Sequence, residues 1–158
     1  MEFDVELVNA FYAAASRVLE AELDDVVGRG DLSLVRSDVT GGELNSLVAV
    51  QGDLQGYVLF EMNQNFARKL TARMLNQDIG YLRPSLVESA VAELGNMIVG
   101  DANARLEESG LRVKASPPEV IVGRNTIVSD RKDTRLRIPI LLRLGRFDIE
   151  VSETRRVR

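Results

Sequence analysis

The order of elements along this chain predicts an α+β fold, an antiparallel β-sheet covered by long helices. Three observations point to it. Apolar residues recur at helical spacing near the start and again through the middle of the chain. Strand-like runs fill the stretches between and after them. Gly, Pro and Asn fall at the joins, where turns and caps belong. With 158 residues, 45% of them apolar, the chain is long enough for one domain, residues 1–158, with a sizeable core.

The elements follow in order. From Glu2 to about Asp25, Phe3, Leu7, Phe11, Ala15, Val18 or Leu19, and Leu23 mark one helical face, and Gly28 and Gly30 are expected to break the helix. Three strands are predicted at about Leu32 to Val39, Ser46 to Val50 and Tyr57 to Met62, with turns at Gly41-Gly42 and Gly52-Asp53. Asn63 and Asn65 both stand where a helix cap belongs, ahead of Phe66, Leu70, Met74 and Leu75. Asp78 to Arg83 reads as a connector, Pro84 suits the first turn of a long helix, and Gly110 closes it. Leu111 to Ala115, Glu119 to Val122 and about Thr126 to Ser129 read as strands, with Pro117-Pro118 at a strand end or edge. Leu136 to Leu144 and Phe147 to Val151 form a hairpin through Gly145, and its strand edges are candidates for pairing with a second copy of the chain. The order suggests two similar halves, each a helix followed by a run of strands.

Composition excludes several functions. The net charge of -4 gives no bulk attraction to nucleic acid or anionic membrane. Arg155, Arg156 and Arg158 read as a solvated basic tail. No apolar run approaches the ~18 residues of a membrane span, so no membrane insertion is expected. The acidic start M-E-F-D-V-E is not a signal peptide. The absence of cysteine rules out disulfide and thiol chemistry and fits a cytoplasmic protein. Without His there is no Ser-His-Asp triad and no His-containing zinc site, and no Asp-x-Asp or EF-hand spacing offers a carboxylate metal site. The glycine pairs lack a phosphate-cradle context and read as turns. An enzyme built from such a chain positions groups more than it activates them.

The long helix carries the candidate site. Between Ser85 and Glu108, Val87, Ala90, Val91, Leu94 and Ile98 fall on one side at ~100° per residue. Ser89, Glu93, Asn96 and Gly100 fall together on the other, with small neighbours Ala92 and Gly95. A solvated face usually carries Lys, Arg and Glu. This one offers a hydroxyl, a carboxylate and a carboxamide. With 13 Glu and 8 Asn, roughly 0.7 Glu-x2-Asn pairs are expected by chance, and requiring Asp or Ser four residues earlier leaves on the order of 0.1.

The pattern Ser89-x3-Glu93-x2-Asn96, within A-E-L-G-N-M-I-V-G, resembles the active-site helix of the CheC/CheX/FliY phosphatases of bacterial chemotaxis. The chain is most similar to the CheX branch. The similarity extends to V-N-A-F (Val8 to Phe11), S-P-P-E-V-I-V-G-R-N (Ser116 to Asn125) and R-I-P-I (Arg137 to Ile140). The resemblance implies a pseudo-two-fold architecture, a homodimer formed through the sheets, and dephosphorylation of a phosphorylated CheY-like receiver domain. It implies catalytic residues Glu93, Asn96 and Ser89, with Asn96 orienting the attacking water and Glu93 anchoring a Lys of the partner. Ser89 would cap the same ridge or serve as packing. No cofactor is expected on this chain, and Mg2+ is expected on the phosphorylated partner. Gly95 and Gly100 fit two purposes, thinning the helix surface for a partner's loops or packing closely on another helix. Asp101 stands where many relatives have Asn.

Glu6-x2-Asn9 repeats the spacing in the first helix, but Glu2 replaces the expected Asp or Ser and the flanking pattern is missing. A structural role for Asn9 is the expectation there. Two other functions compete with the phosphatase: a non-catalytic receiver-binding or flagellar-switch module, and an unrelated small-molecule hydrolase using Glu93.

Overall fold

The first helix begins where the chain supplies its cap. In the computed structural model, which describes residues 4–152 and the backbone of 155–156, the Asp4 carboxylate accepts the N–H groups of Glu6 and Leu7 at 3.1 and 3.2 Å. Two orphan donors are thereby satisfied, and helix α1 runs Val5–Leu23. Leu7, Phe11, Ala15, Val18, Leu19 and Leu23 bury the predicted face. The stop differs from expectation. Asp24, in the left-handed conformation at φ 51, ends the helix ahead of Gly28 and Gly30. Asp visits this region more readily than most residues because its short polar side chain bonds locally. The next carboxylate, Asp25, accepts the N–H groups of Arg143 and Leu144, tying the helix end to a later turn. The predicted start at Glu2 and Phe3, and the side chains of the basic tail, lie outside the described residues.

Nine strands follow among the described residues: β1 (Gly28–Arg29), β2 (Ser33–Ser37), β3 (Leu44–Gly52), β4 (Leu54–Met62), β5 (Val113–Ala115), β6 (Glu119–Val122), β7 (Asp133–Leu141), β8 (Arg146–Ser152) and β9 (Arg155–Arg156). The sheet order is β1-β7-β8-β4-β3-β5, with β2 also on β7, β6 also on β3 and β9 on β4. Every pairing is antiparallel. The path β2-β7-β8-β4-β3-β6 has two-fold character. Each half gives a hairpin to the centre and sends its leading strand to the other half's hairpin, β2 to β7 and β6 to β3. This is the expected pseudo-symmetric α+β architecture.

Two expectations change. The β7–β8 hairpin exists and turns where Leu142 and Gly145 exchange N–H···O bonds of 2.8 and 3.2 Å, but it has no free edge. β7 lies between β8 and β1–β2, and β8 between β7 and β4. The alternation marks both as strands, and β8, buried on both faces from Ile149 to Ser152, is a central one. Thr126 to Ser129 forms no strand beyond one bridge, Ile127 to Val39. Ile127 is largely exposed and has no sheet face to pack on.

The helices cover one face of the sheet. Asn63, rather than Asn65, caps helix α2 (Gln64–Leu75), its Oδ1 accepting the Phe66 N–H at 2.7 Å. A 3-10 turn at Ile79–Tyr81 lies inside the connector, and helix α3 runs Pro84–Glu108 with Pro84 in its first turn. Gly110, at φ 90, lets the chain close α3 with bonds from the Gly110 N–H to Glu107 and from the Leu111 N–H to Leu106. Leu44, Val48, Val58, Phe60, Ile138 and Ile149 share one core with Phe11, Leu19, Leu94 and Ile98. The other face carries charge under cover. Arg135 and Glu150 are buried as an ion pair at 3.2 Å, and Glu150 also accepts from Arg137 Nε at 2.8 Å.

Candidate functional site

Helix α3 presents the site because its buried face is fully used. Val87, Ala90, Val91, Leu94, Ile98 and Val99 pack inward, which turns Ser85, Ser89, Glu93, Asn96, Gly100 and Ala104 outward as one exposed ridge. The structure brings the three predicted residues together. Ser89 to Glu93 and Glu93 to Asn96 are one turn apart, with Cβ atoms roughly 5–6 Å from their neighbours. None of the three side chains has a hydrogen bond or ion pair among the described residues, so their bonding capacity faces outward. At Gly100 a Cβ would meet nothing within 4 Å, which leaves the backbone open to a partner.

Gly95 has a different job. It is buried, and a Cβ there would stand 3.1 Å from both Phe60 Cδ2 and Ser46 Oγ. Of its two expected purposes the packing one holds, though against the sheet rather than another helix. Asp101 points away from the ridge toward α1. Its carboxylate accepts from Arg17 Nε at 2.5 Å and Arg105 Nε at 2.7 Å. Burial pushes this carboxyl up, but the bonds and charges of the two guanidiniums outweigh it and hold it below the ordinary value. Asp101 is thus a clamp between α1 and α3. Asn9 is exposed without a hydrogen bond among the described residues, so the structural role expected of it finds no support.

Sequence reasoning missed two features. One is a recess of about 420 Å³ at the Ser89 end of the ridge, bordered by Tyr81 and Arg83. Its signal was Tyr81, the one aromatic residue of the Asp78 to Arg83 connector. The other is the buried charge on the outer sheet face, legible as Arg135 and Arg137 alternating with Leu136 and Ile138. Among the described residues no three Asp or Glu come together in a metal-holding group. The ridge therefore offers one exposed carboxylate, one carboxamide and one hydroxyl on a rigid helix. Such a set can orient a water or dock a charged partner, but it cannot by itself polarise a substrate.

The chain is similar in sequence and fold to known proteins. The family profile "Chemotaxis phosphatase CheX" matches residues 44–141, more than half of the chain and all of α3. The chain is 26% identical over 122 residues to the CheY-P phosphatase CheX of Thermotoga maritima, covering 77% of this chain and 79% of that one. Its fold is similar to the crystal structure of a chemotaxis protein CheX from Desulfovibrio desulfuricans, with 27% identity, a TM-score of 0.79, and coverage of 94% of this chain and 100% of that one. It is also similar in fold to the CheX of a CheX–CheY–BeF3–Mg2+ complex from Borrelia burgdorferi, with 22% identity, a TM-score of 0.74, and coverage of 94% and 97%. With the profile spanning the helix that carries the ridge, the chain belongs to the CheX family of chemotaxis phosphatases.

Proposed function

We propose that this chain hydrolyses the aspartyl phosphate of a CheY-like receiver domain. The observation that carries this is the exposed, unpaired placement of Glu93 and Asn96 on one ridge of a CheX-family chain. In the reaction a water oxygen bonds to phosphorus while the bond from phosphorus to the aspartyl oxygen breaks. The carboxylate leaves with the electron pair, and the water's proton passes to phosphate or solvent. Mg2+ and a Lys come with the receiver and stabilise the phosphoryl charge. Asn96 enters the receiver's pocket, where its carboxamide accepts from and donates to the water and fixes it in line. Glu93, one turn away, pairs with the receiver's Lys and sets the docking register. Ser89 stands at the rim of the same contact.

The chain is further proposed to act in the cytoplasm as a homodimer. No described helix is long and apolar enough to cross a membrane. Since the β7–β8 hairpin is interior, a second copy would pair at an outer edge, β2 or β6. The test of function is phosphate release from a receiver phosphorylated with acetyl phosphate in Mg2+. Faster release with this chain present is expected. Binding without faster release would leave the docking module instead, and hydrolysis of simple phosphoesters without a receiver would favour the small-molecule hydrolase.

A further inference from the structure

The ridge continues past Ser89. Ser85, one turn earlier, borders the recess of about 420 Å³ that Gln77, Tyr81, Arg83, Leu86 and Ser89 complete. Its wall is the connector between α2 and α3, and that connector is held. Asp78 Oδ1 accepts the Gly80 N–H at 3.0 Å, the Arg68 guanidinium donates to the Ile79 carbonyl at 2.9 Å, and Leu82 is buried in the core. Tyr81 stands on this stub 81% exposed. Neither its hydroxyl nor the Arg83 guanidinium has a hydrogen-bond or ion-pair partner among the described residues. An aromatic ring held out on a constrained turn loses little entropy on binding, which is why Tyr recurs among the residues that dominate interfaces.

Size brings the near side of this recess, Ser85 and Ser89, inside a contact centred on the site and puts Arg83 at its rim. A stable interface takes ~800 Å² per partner, a patch of roughly 16 Å radius. Measured from midway between Glu93 and Asn96 at 1.5 Å per residue, Ser85 lies only about 14 Å away along α3. Charge favours this end of the ridge. Arg83 is the one charged residue lining the recess. The cleft beyond Gly100 sets Asp53 and Glu107 against Arg112 and Lys114 and carries no net sign. A receiver pocket that holds an aspartyl phosphate and Mg2+ must bring carboxylates to the metal, so its surroundings favour a cation at the rim.

We propose that Tyr81 and Arg83 are docking residues that select the receiver, Tyr81 packing on an apolar patch beside the phosphorylation pocket and Arg83 pairing with a carboxylate there. The proposal rests on the receiver reading above. Arg83 is about 20 Å from Asn96 along the helix, so neither residue touches the reacting atoms. They act on affinity and leave the chemical step alone.

The experiment measures two quantities on the intact chain. One is affinity for a CheY-type receiver held active by beryllofluoride and Mg2+, and the other is phosphate release from the same receiver phosphorylated with acetyl phosphate. Tyr81→Ala should weaken binding about tenfold or more and raise KM equally, with kcat within about twofold of wild type. Tyr81→Phe should keep most of the affinity. Arg83→Glu should weaken binding most at low salt, the gap to wild type narrowing as salt is added. Ile127→Ser, at an exposed position outside the recess, is the control. Unchanged affinity in Tyr81→Ala overturns the proposal, as does wild-type salt dependence in Arg83→Glu. A wild-type chain that binds without speeding release sinks the phosphatase reading alone, because the docking contacts are still measured by affinity.

Discussion

Gly95 lies against Phe60 so closely that a Cβ would come within 3.1 Å of the ring. Gly95 falls between Glu93 and Asn96 in sequence but faces the opposite way, into the sheet. The contact that seats α3 therefore also fixes the direction in which the two site side chains leave the helix. Gly95→Val should test this. Phe60 and Ser46 are both buried and leave no room for the added methyl groups. Overpacking of this kind costs about 1–3 kcal/mol, and the gain in helix propensity over Gly recovers only a few tenths. Urea unfolding should show a lower midpoint, and Gly95→Ala should lose less. Wild-type stability in Gly95→Val would contradict the close seating.

The Asp101 clamp gives a second prediction. Its carboxyl is held low in the folded protein by Arg17 and Arg105. A depressed carboxyl contributes stability above its unfolded value and loses it as pH falls through the folded one. Asp101→Ala should cost about 0.5–1.5 kcal/mol near neutral pH, the usual worth of such bonds when the arginines can turn to water. Asp101→Asn keeps the shape and should cost less. Both variants should flatten the acid limb of the stability curve, measured by urea unfolding at neutral and acid pH. A limb as steep as wild type in Asp101→Ala would show that this pair does not couple α1 to α3.

The long helix and the exposed ridge on it were legible because they depend on local chemistry. Pro84, Gly110 and the apolar spacing bound α3, and the same spacing put Ser89, Glu93 and Asn96 on one ridge. Strand β6, Glu119–Val122, is bounded by Pro118 and Gly123 and was legible to the residue. What escaped depends on partners far along the chain. Alternation identified β7 and β8 as strands but said nothing of their neighbours, so an interior hairpin was read as an edge. A helical wheel put Gly95 beside the site without revealing Phe60 beneath it. Asp24 took over the stop assigned to Gly28 because an Asp, too, tolerates the left-handed turn.

The buried outer face predicts an alkaline weakness. Burial, with the hydrogen bond and negative charge of Glu150, pushes the Glu61 carboxyl up to about 8, against the Gly41 N–H and the Arg135 charge that favour ionisation. The folded chain keeps this proton to about that pH, whereas the unfolded chain releases it near the ordinary 4.5. Between the two values the folded state binds more protons, so the contribution is whole below 4.5 and is lost as pH rises toward 8. Glu61→Gln imitates the protonated acid and does not titrate. Its thermal midpoint should therefore vary less than wild type from about pH 5 to about pH 8. Parallel curves for the two proteins would mean that Glu61 is already ionised in the folded chain.

The two central residues of the ridge should separate by role. Asn96 carries no charge, so Asn96→Ala should leave docking nearly intact while removing most of the acceleration, on the order of 10²-fold for one lost positioning contact. Glu93 is the ridge's only carboxylate between Ser89 and Gly100. If it pairs with the receiver's Lys, Glu93→Ala should weaken binding as well as turnover, by roughly 30-fold or more when the pair is buried in the complex. Glu93→Lys should be worse, because it sets two cations against each other. Ser89→Ala, at the rim, should be mild or silent. The measurement is affinity for a receiver activated by beryllofluoride, followed by phosphate release from the phosphorylated one. Wild-type turnover in Asn96→Ala would remove the water-positioning role. Unchanged affinity in Glu93→Lys would mean that the receiver docks on another face, since no contact over this ridge could ignore a reversed charge at its centre.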